Sequence, residues 1–70
     1  MFSNRLKMLR TEKHLTQKQL AVNTYIGEST IQSYELGTRL PTLPALVTLS
    51  RYFNVSIDYL VGESDNPKRR

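Results

Sequence analysis

LTQKQLAVNTYIGESTIQSYELG, residues 15–37, is the stretch whose reading decides the fold. It opens on a dense helix start. Thr16 is placed to accept from the backbone N–H of Gln19, while the Gln19 side chain reaches back to the N–H of Thr16. Leu15 and Leu20 occupy the two positions of a hydrophobic staple. The helix has little room, because Gly27 interrupts it. Glu28 to Leu36 then reads as a second helix, closed by Gly37.

At about 100° per residue, Thr30, Ile31 and Tyr34 share one side of that second helix. Glu28, Ser29, Gln32 and Ser33 share the other, joined by Leu36. The outer face is made of short hydrogen-bonding side chains, not the Lys/Glu mixture that merely solvates a helix. Two helices across a tight turn, the second with such a face, point to helix-turn-helix DNA binding. A polar helical face alone is ordinarily solvated surface. Capping box, staple, turn and closing glycine together carry the reading.

Working outward, a chain of 70 residues is one small domain. It buries only about 60% of its unfolded surface, so its stability is modest. With no cysteine it has neither disulfide nor thiolate metal site, which favours compact helical packing. Arg5, Lys7 and Arg10 interrupt any signal-peptide run, and no segment has transmembrane length. A soluble, cytoplasmic protein is expected. The net charge is +4, and residues 1–39 hold six basic against three acidic side chains. Residues 40–67 hold Arg51 against Asp58, Glu63 and Asp65, and Lys68-Arg69-Arg70 close the chain. The basic half is therefore the half with the two-helix stretch, as a nucleic-acid partner would require.

Upstream, Ser3 is the expected N-cap of a first helix reaching about Lys13, with Phe2, Leu6 and Leu9 as its inner stripe. Arg10 stands at the stripe's edge, where a long side chain reaches an acid elsewhere. His14 ends that helix as a residue tolerant of a left-handed backbone. As the lone histidine it makes no metal site. Downstream, Thr38-Arg39-Leu40-Pro41 is a loop, Thr42 caps a fourth helix and Pro44 sits in its first turn. Leu46, Leu49 and Phe53 face inward, Asn54 terminates, Val55 plugs the core and Ser56 caps a short last helix. The expected fold is all-α, five helices in residues 1–62, followed by a polar, mobile tail over 63–70.

In this order the residues resemble the Cro/C1-type repressor family, the xenobiotic-response-element-like helix-turn-helix proteins, across roughly Arg5 to Gly62. Leu-Thr-Gln-x-x-Leu-Ala at 15–21, Thr-Ile-x-x-Tyr-Glu-x-Gly at 30–37 and Val-Ser-x-Asp-x-Leu at 55–60 carry the likeness, with Arg39-Leu40-Pro41-Thr42-Leu43 between them. The resemblance implies a compact lambda-repressor-like domain. It implies base reading by Glu28, Ser29, Gln32 and Ser33, and backbone contacts from Thr16, Gln17, Lys18, Thr38 and Arg39. It also implies a structural ion pair between Arg10 and Glu35. Three positions depart from the family pattern. Tyr25 replaces the turn glycine and is expected to distort or lengthen the turn, since a bulky residue at positive φ is unfavourable. Thr24 replaces an apolar residue and is expected to shorten the second helix. Gly27 replaces a Ser/Thr cap with a weaker one.

The expected function is a sequence-specific double-stranded DNA-binding transcriptional regulator of repressor type. It would act as a homodimer, at least on DNA, on an inverted-repeat operator. Ile57, Tyr59 and Val61 are the candidate dimer-interface residues, because a helix of little more than one turn cannot bury all its apolar side chains. Glu28 is kept either by a base donor or by a neighbouring cation, for which Lys18 is a candidate. No cofactor, small-molecule ligand, membrane or catalytic set is expected: there is no His/Asp/Ser or His/Cys group and no Gly-rich phosphate loop. The alternative, from another class, is an antitoxin or anti-repressor type module binding a protein through the Tyr25/Glu28 surface. Salt dependence separates the two, being steep for the regulator and slight for the module.

Overall fold

A computed structural model describes residues 1–68, which fold into five helices. They are α1 (Phe2–Glu12), α2 (Gln17–Thr24), α3 (Glu28–Leu36), α4 (Leu43–Phe53) and α5 (Ile57–Val61). α1 and α2 both pack on α3, and α4 and α5 close the other side, α5 also touching α1. Each helix sends one side chain to the centre. Leu6, Leu20, Ile31, Leu49 and Leu60 are fully buried, one from each element. Burial of each supplies about 1.5–3 kcal/mol, which is what holds helices too short to persist alone. Phe2 stands edge-on to Tyr34 at 5.5 Å between ring centroids, fastening the start of α1 to α3.

The local signals act through backbone chemistry. Thr16 Oγ1 accepts from Gln19 N at 3.0 Å and Gln19 Oε1 accepts from Thr16 N at 2.8 Å, completing the capping box. Thr42 and Ser56 cap α4 and α5 by accepting from Ala45 N and Tyr59 N. His14 and Asn54 both take the left-handed conformation, at φ 57° and 56°. Gly37 does so at φ 80°, with Thr38 N donating to Ser33 O at 3.0 Å in the Schellman manner.

Two expectations need correcting. Ser3 is not the cap of α1. The helix begins at Phe2 with Met1 at the N-cap, and there is no side-chain cap bond, since a methionine side chain offers no oxygen to the free N–H groups of the first turn. Thr24 is the last residue of α2, buried, with its hydroxyl donating to Leu20 O at 2.7 Å, so it needs no other partner. The turn is not lengthened. Tyr25 itself adopts φ 58°, ψ 27° and closes α2, leaving Tyr25, Ile26 and Gly27 between the two helices. Ile26 packs against the core and fixes that geometry, while the Tyr25 ring is 97% exposed.

Beyond α5 the chain returns on itself. Glu63 N donates to Asp58 O at 2.8 Å, and Ser56 N donates to Pro67 O at 3.0 Å. Arg69 and Arg70, two of the three cations expected to close the tail, lie outside the described residues.

Candidate nucleic-acid interface

The site is built by holding α3 at a fixed angle. Arg10, at the end of α1, meets Glu35 in the last turn of α3, and Gln17 Nε2 on α2 donates to the same Glu35 carboxylate at 3.1 Å. One acid on α3 therefore gathers both helices that flank it. The hydrogen bond from Arg10 to Glu35 raises the guanidinium pKa above its ordinary value, burial lowers it, and the carboxylate's charge raises it again. Gln17 is thereby half-buried and already engaged through one amide proton, which leaves its second N–H to donate to a phosphate.

With Ile31 and Tyr34 buried and Glu35 drawn inward, the opposite side of α3 is left to solvent. Glu28, Ser29 and Gln32 are exposed there and Ser33 is half-exposed. None of these four side chains makes a hydrogen bond within the described residues. Their donors and acceptors are available to base edges. Leu36 continues the stripe at 77% exposure. Thr16 and Lys18 lie exposed at the start of α2, whose free N–H groups favour an anion. Thr38 and Arg39 follow α3 on an exposed loop, Thr38 Oγ1 donating to Ser33 O at 3.3 Å and Arg39 Nη1 to Thr30 Oγ1 at 3.4 Å.

Lys18, the candidate neighbour, does not pair with Glu28 among the described residues. Both border the shallow groove beside Val22 and Tyr25, but no ion pair joins them. Ile57, Tyr59 and Val61 are each half-buried, and the Arg5 guanidinium stands 4.0 Å from the centroid of the Tyr59 ring. That cation–π contact was not foreseen. Its only sequence signal is an arginine one position before the inward Leu6. The bond from Gln17 to Glu35 was also missed, although both residues were singled out separately.

A helix-turn-helix family model matches residues 6–60. The chain belongs to that family, of Cro/C1 type. Its relatives agree. The chain is 40% identical over 67 residues to an uncharacterized HTH-type transcriptional regulator, YobD of Bacillus subtilis, spanning 96% of this chain and 60% of that protein. It is 40% identical over 61 residues to the HTH-type transcriptional activator BcrR of Enterococcus faecalis, covering 87% of this chain and 30% of the activator. To the cryptic phage CTXphi transcriptional repressor RstR of Vibrio cholerae it is 35% identical over 65 residues, 93% of this chain and 59% of the repressor. The helix-turn-helix domain is thus the shared part, and each of these relatives is longer than it. No solved structure matches the chain.

The matched span runs from the first core leucine to the last, so the family defines the same unit as the five central side chains. No described helix is long and apolar enough to cross a membrane.

Proposed function

We propose that this helix-turn-helix chain is a cytoplasmic, sequence-specific regulator of transcription that binds double-stranded DNA and acts as a repressor. The observation that carries the reading is the outer stripe of α3. Its Ser29, Gln32 and Ser33 have unspent hydrogen-bonding groups, on a helix whose angle is fixed by Arg10, Gln17 and Glu35. In this reading α3 enters the major groove, while Thr16, Gln17, Lys18, Thr38 and Arg39 set its position through phosphates. Glu28, repelled by phosphates, is retained for a donor such as cytosine N4.

One short helix contacts too few base pairs for useful specificity, so two protomers occupy an inverted repeat with recognition helices about 34 Å apart. The repressor sense agrees with the role of RstR, a transcriptional repressor, whereas BcrR is an activator. Selection of bound sites from a random duplex pool tests the reading. Enrichment of an inverted repeat, with affinity falling steeply as salt rises, is the expected result. No enrichment and a flat salt response would discard it in favour of a protein-binding module.

A further inference from the structure

We propose that Leu36 is a specificity-determining residue of the reading face, selecting a thymine through its C5 methyl group. The inference rests on the proposed reading of duplex DNA by α3 and adds to it a contact of a different chemical kind.

Ser29, Gln32, Ser33 and Leu36 stand at i, i+3, i+4 and i+7, one continuous stripe on α3. Within the fold Leu36 has almost no task. It is 77% exposed, while its neighbours Tyr34 and Glu35 are buried in the core and in the ion pair. Helix propensity does not require it, since Gln, Lys or Glu serve as well on a solvated face. Its apolar surface acquires a partner only when something covers α3.

What covers α3 in the proposed function is the edge of the bases. The thymine methyl is the apolar feature that a major-groove edge offers; the remaining groups are hydrogen-bond donors and acceptors. Leucine has no donor or acceptor. Against a cytosine amino group or a guanine O6 and N7 it would strip water and return nothing, which costs binding. Against a methyl group the same desolvation is favourable.

Position agrees with chemistry. Leu36 lies one helical turn beyond Gln32, about 6 Å along the axis, and immediately before the loop that carries Thr38 and Arg39. It therefore stands between the base-reading side chains and those that meet the sugar-phosphate wall. The C5 methyl projects from the side of the base nearest its own strand's wall. With α3 lying along the groove, the selected thymine falls one or two base pairs past the pair read by Gln32, given about 3.4 Å per step.

The test uses the selected operator, resynthesised with single thymines replaced by uracil, which removes the methyl and nothing else. The full chain, Leu36→Ala and Leu36→Met are titrated against each duplex. At one symmetric thymine, uracil is expected to weaken the unsubstituted chain about fourfold per half-site. Leu36→Met should keep that sensitivity, and Leu36→Ala should lose it while melting unchanged. An unsubstituted chain indifferent to every uracil overturns the proposal. So does a Leu36→Ala deficit of equal size on thymine and uracil duplexes, which would place Leu36 in a protein contact. A pool that yields no site removes the DNA reading itself, whereas a site without methyl dependence removes this inference alone.

Discussion

Arg10 and Glu35 meet in a two-pronged fork, Nε donating to Oε2 at 2.7 Å and Nη2 to Oε1 at 2.9 Å. Their side chains are only 12% and 4% exposed. The third prong, Nη1, donates to Leu15 O at 2.7 Å and ties the same arginine to the entry of α2. Planar geometry lets one guanidinium serve both partners at once, which a lysine ammonium would not reproduce. The raised guanidinium pKa gives a contribution complete below arginine's ordinary range and lost only as pH climbs above it. On the arginine side the pair is therefore constant across neutral pH.

Arg10→Met strands a buried carboxylate and is expected to cost about 3 kcal/mol. For a domain of this size that lowers the melting temperature on the order of 15 °C. Adding Glu35→Leu should recover much of the loss but not all, since Leu15 O still lacks its donor and Gln17 its acceptor. Thermal unfolding of the two variants decides. A single variant that melts like the parent would mean the fork contributes nothing.

Tyr25 is held left-handed with its ring in solvent, so the fold bears strain there without gaining burial. Tyr25→Asn keeps a Cβ but suits that conformation far better, and should stabilise the domain by roughly 1 kcal/mol. Tyr25 is no base reader in the proposed function, so the selected consensus should not change. Calorimetry that found the variant less stable would show that the ring props the turn against Val22.

The contrast between Thr16 and Ser3 explains what could be read from the sequence. Thr16 is followed by Gln19 and flanked by Leu15 and Leu20, so several short-range constraints agree, and the predicted box is the observed one. Ser3 has no such support, and it lies inside α1, which starts at Phe2 without a side-chain cap. Tyr25 misled because propensity argued against positive φ, whereas the core position of Ile26 and the meeting of α2 with α3 override it. In the site, the outer face of α3 was legible because helical period alone determines it. The bond from Gln17 to Glu35 and the Arg5 contact with Tyr59 were not, because each depends on how separate helices cross.

Assembly on DNA gives a third prediction. Two protomers should bind one inverted repeat, and Val61→Asp should convert that complex to one protomer per duplex without unfolding the chain. Val61 is half-buried, and Tyr59 is partly spent on Arg5. Leu40 and Leu43, 88% and 67% exposed, provide the comparison through Leu40→Asp. Sedimentation at high micromolar concentration reads the stoichiometry. If only Leu40→Asp breaks the pair, the contact runs through the loop before α4; a one-to-one complex of the parent ends the dimer altogether.

Base reading gives the last. Gln32 projects from the middle of α3 with its amide unspent, and an amide pairs bidentately with adenine N6 and N7. Gln32→Ala should therefore lose roughly 1–3 kcal/mol on the best operator and much less on random duplex. Glu28 behaves in the opposite way. It sits in the first turn of α3 with no ion-pair partner within the described residues, so in the proposed complex no cation of the fold offsets its repulsion by the phosphates. Glu28→Gln removes that repulsion and should raise affinity for random duplex, while blurring preference at one base pair of each half-site. Together the two variants separate recognition from attraction, because one lowers specific binding and the other raises non-specific binding on the same helix face. Titrations of both duplexes across a salt series measure the two quantities independently. Should neither substitution alter the selected consensus or its affinity, α3 is not the reading helix and a protein partner takes the surface instead.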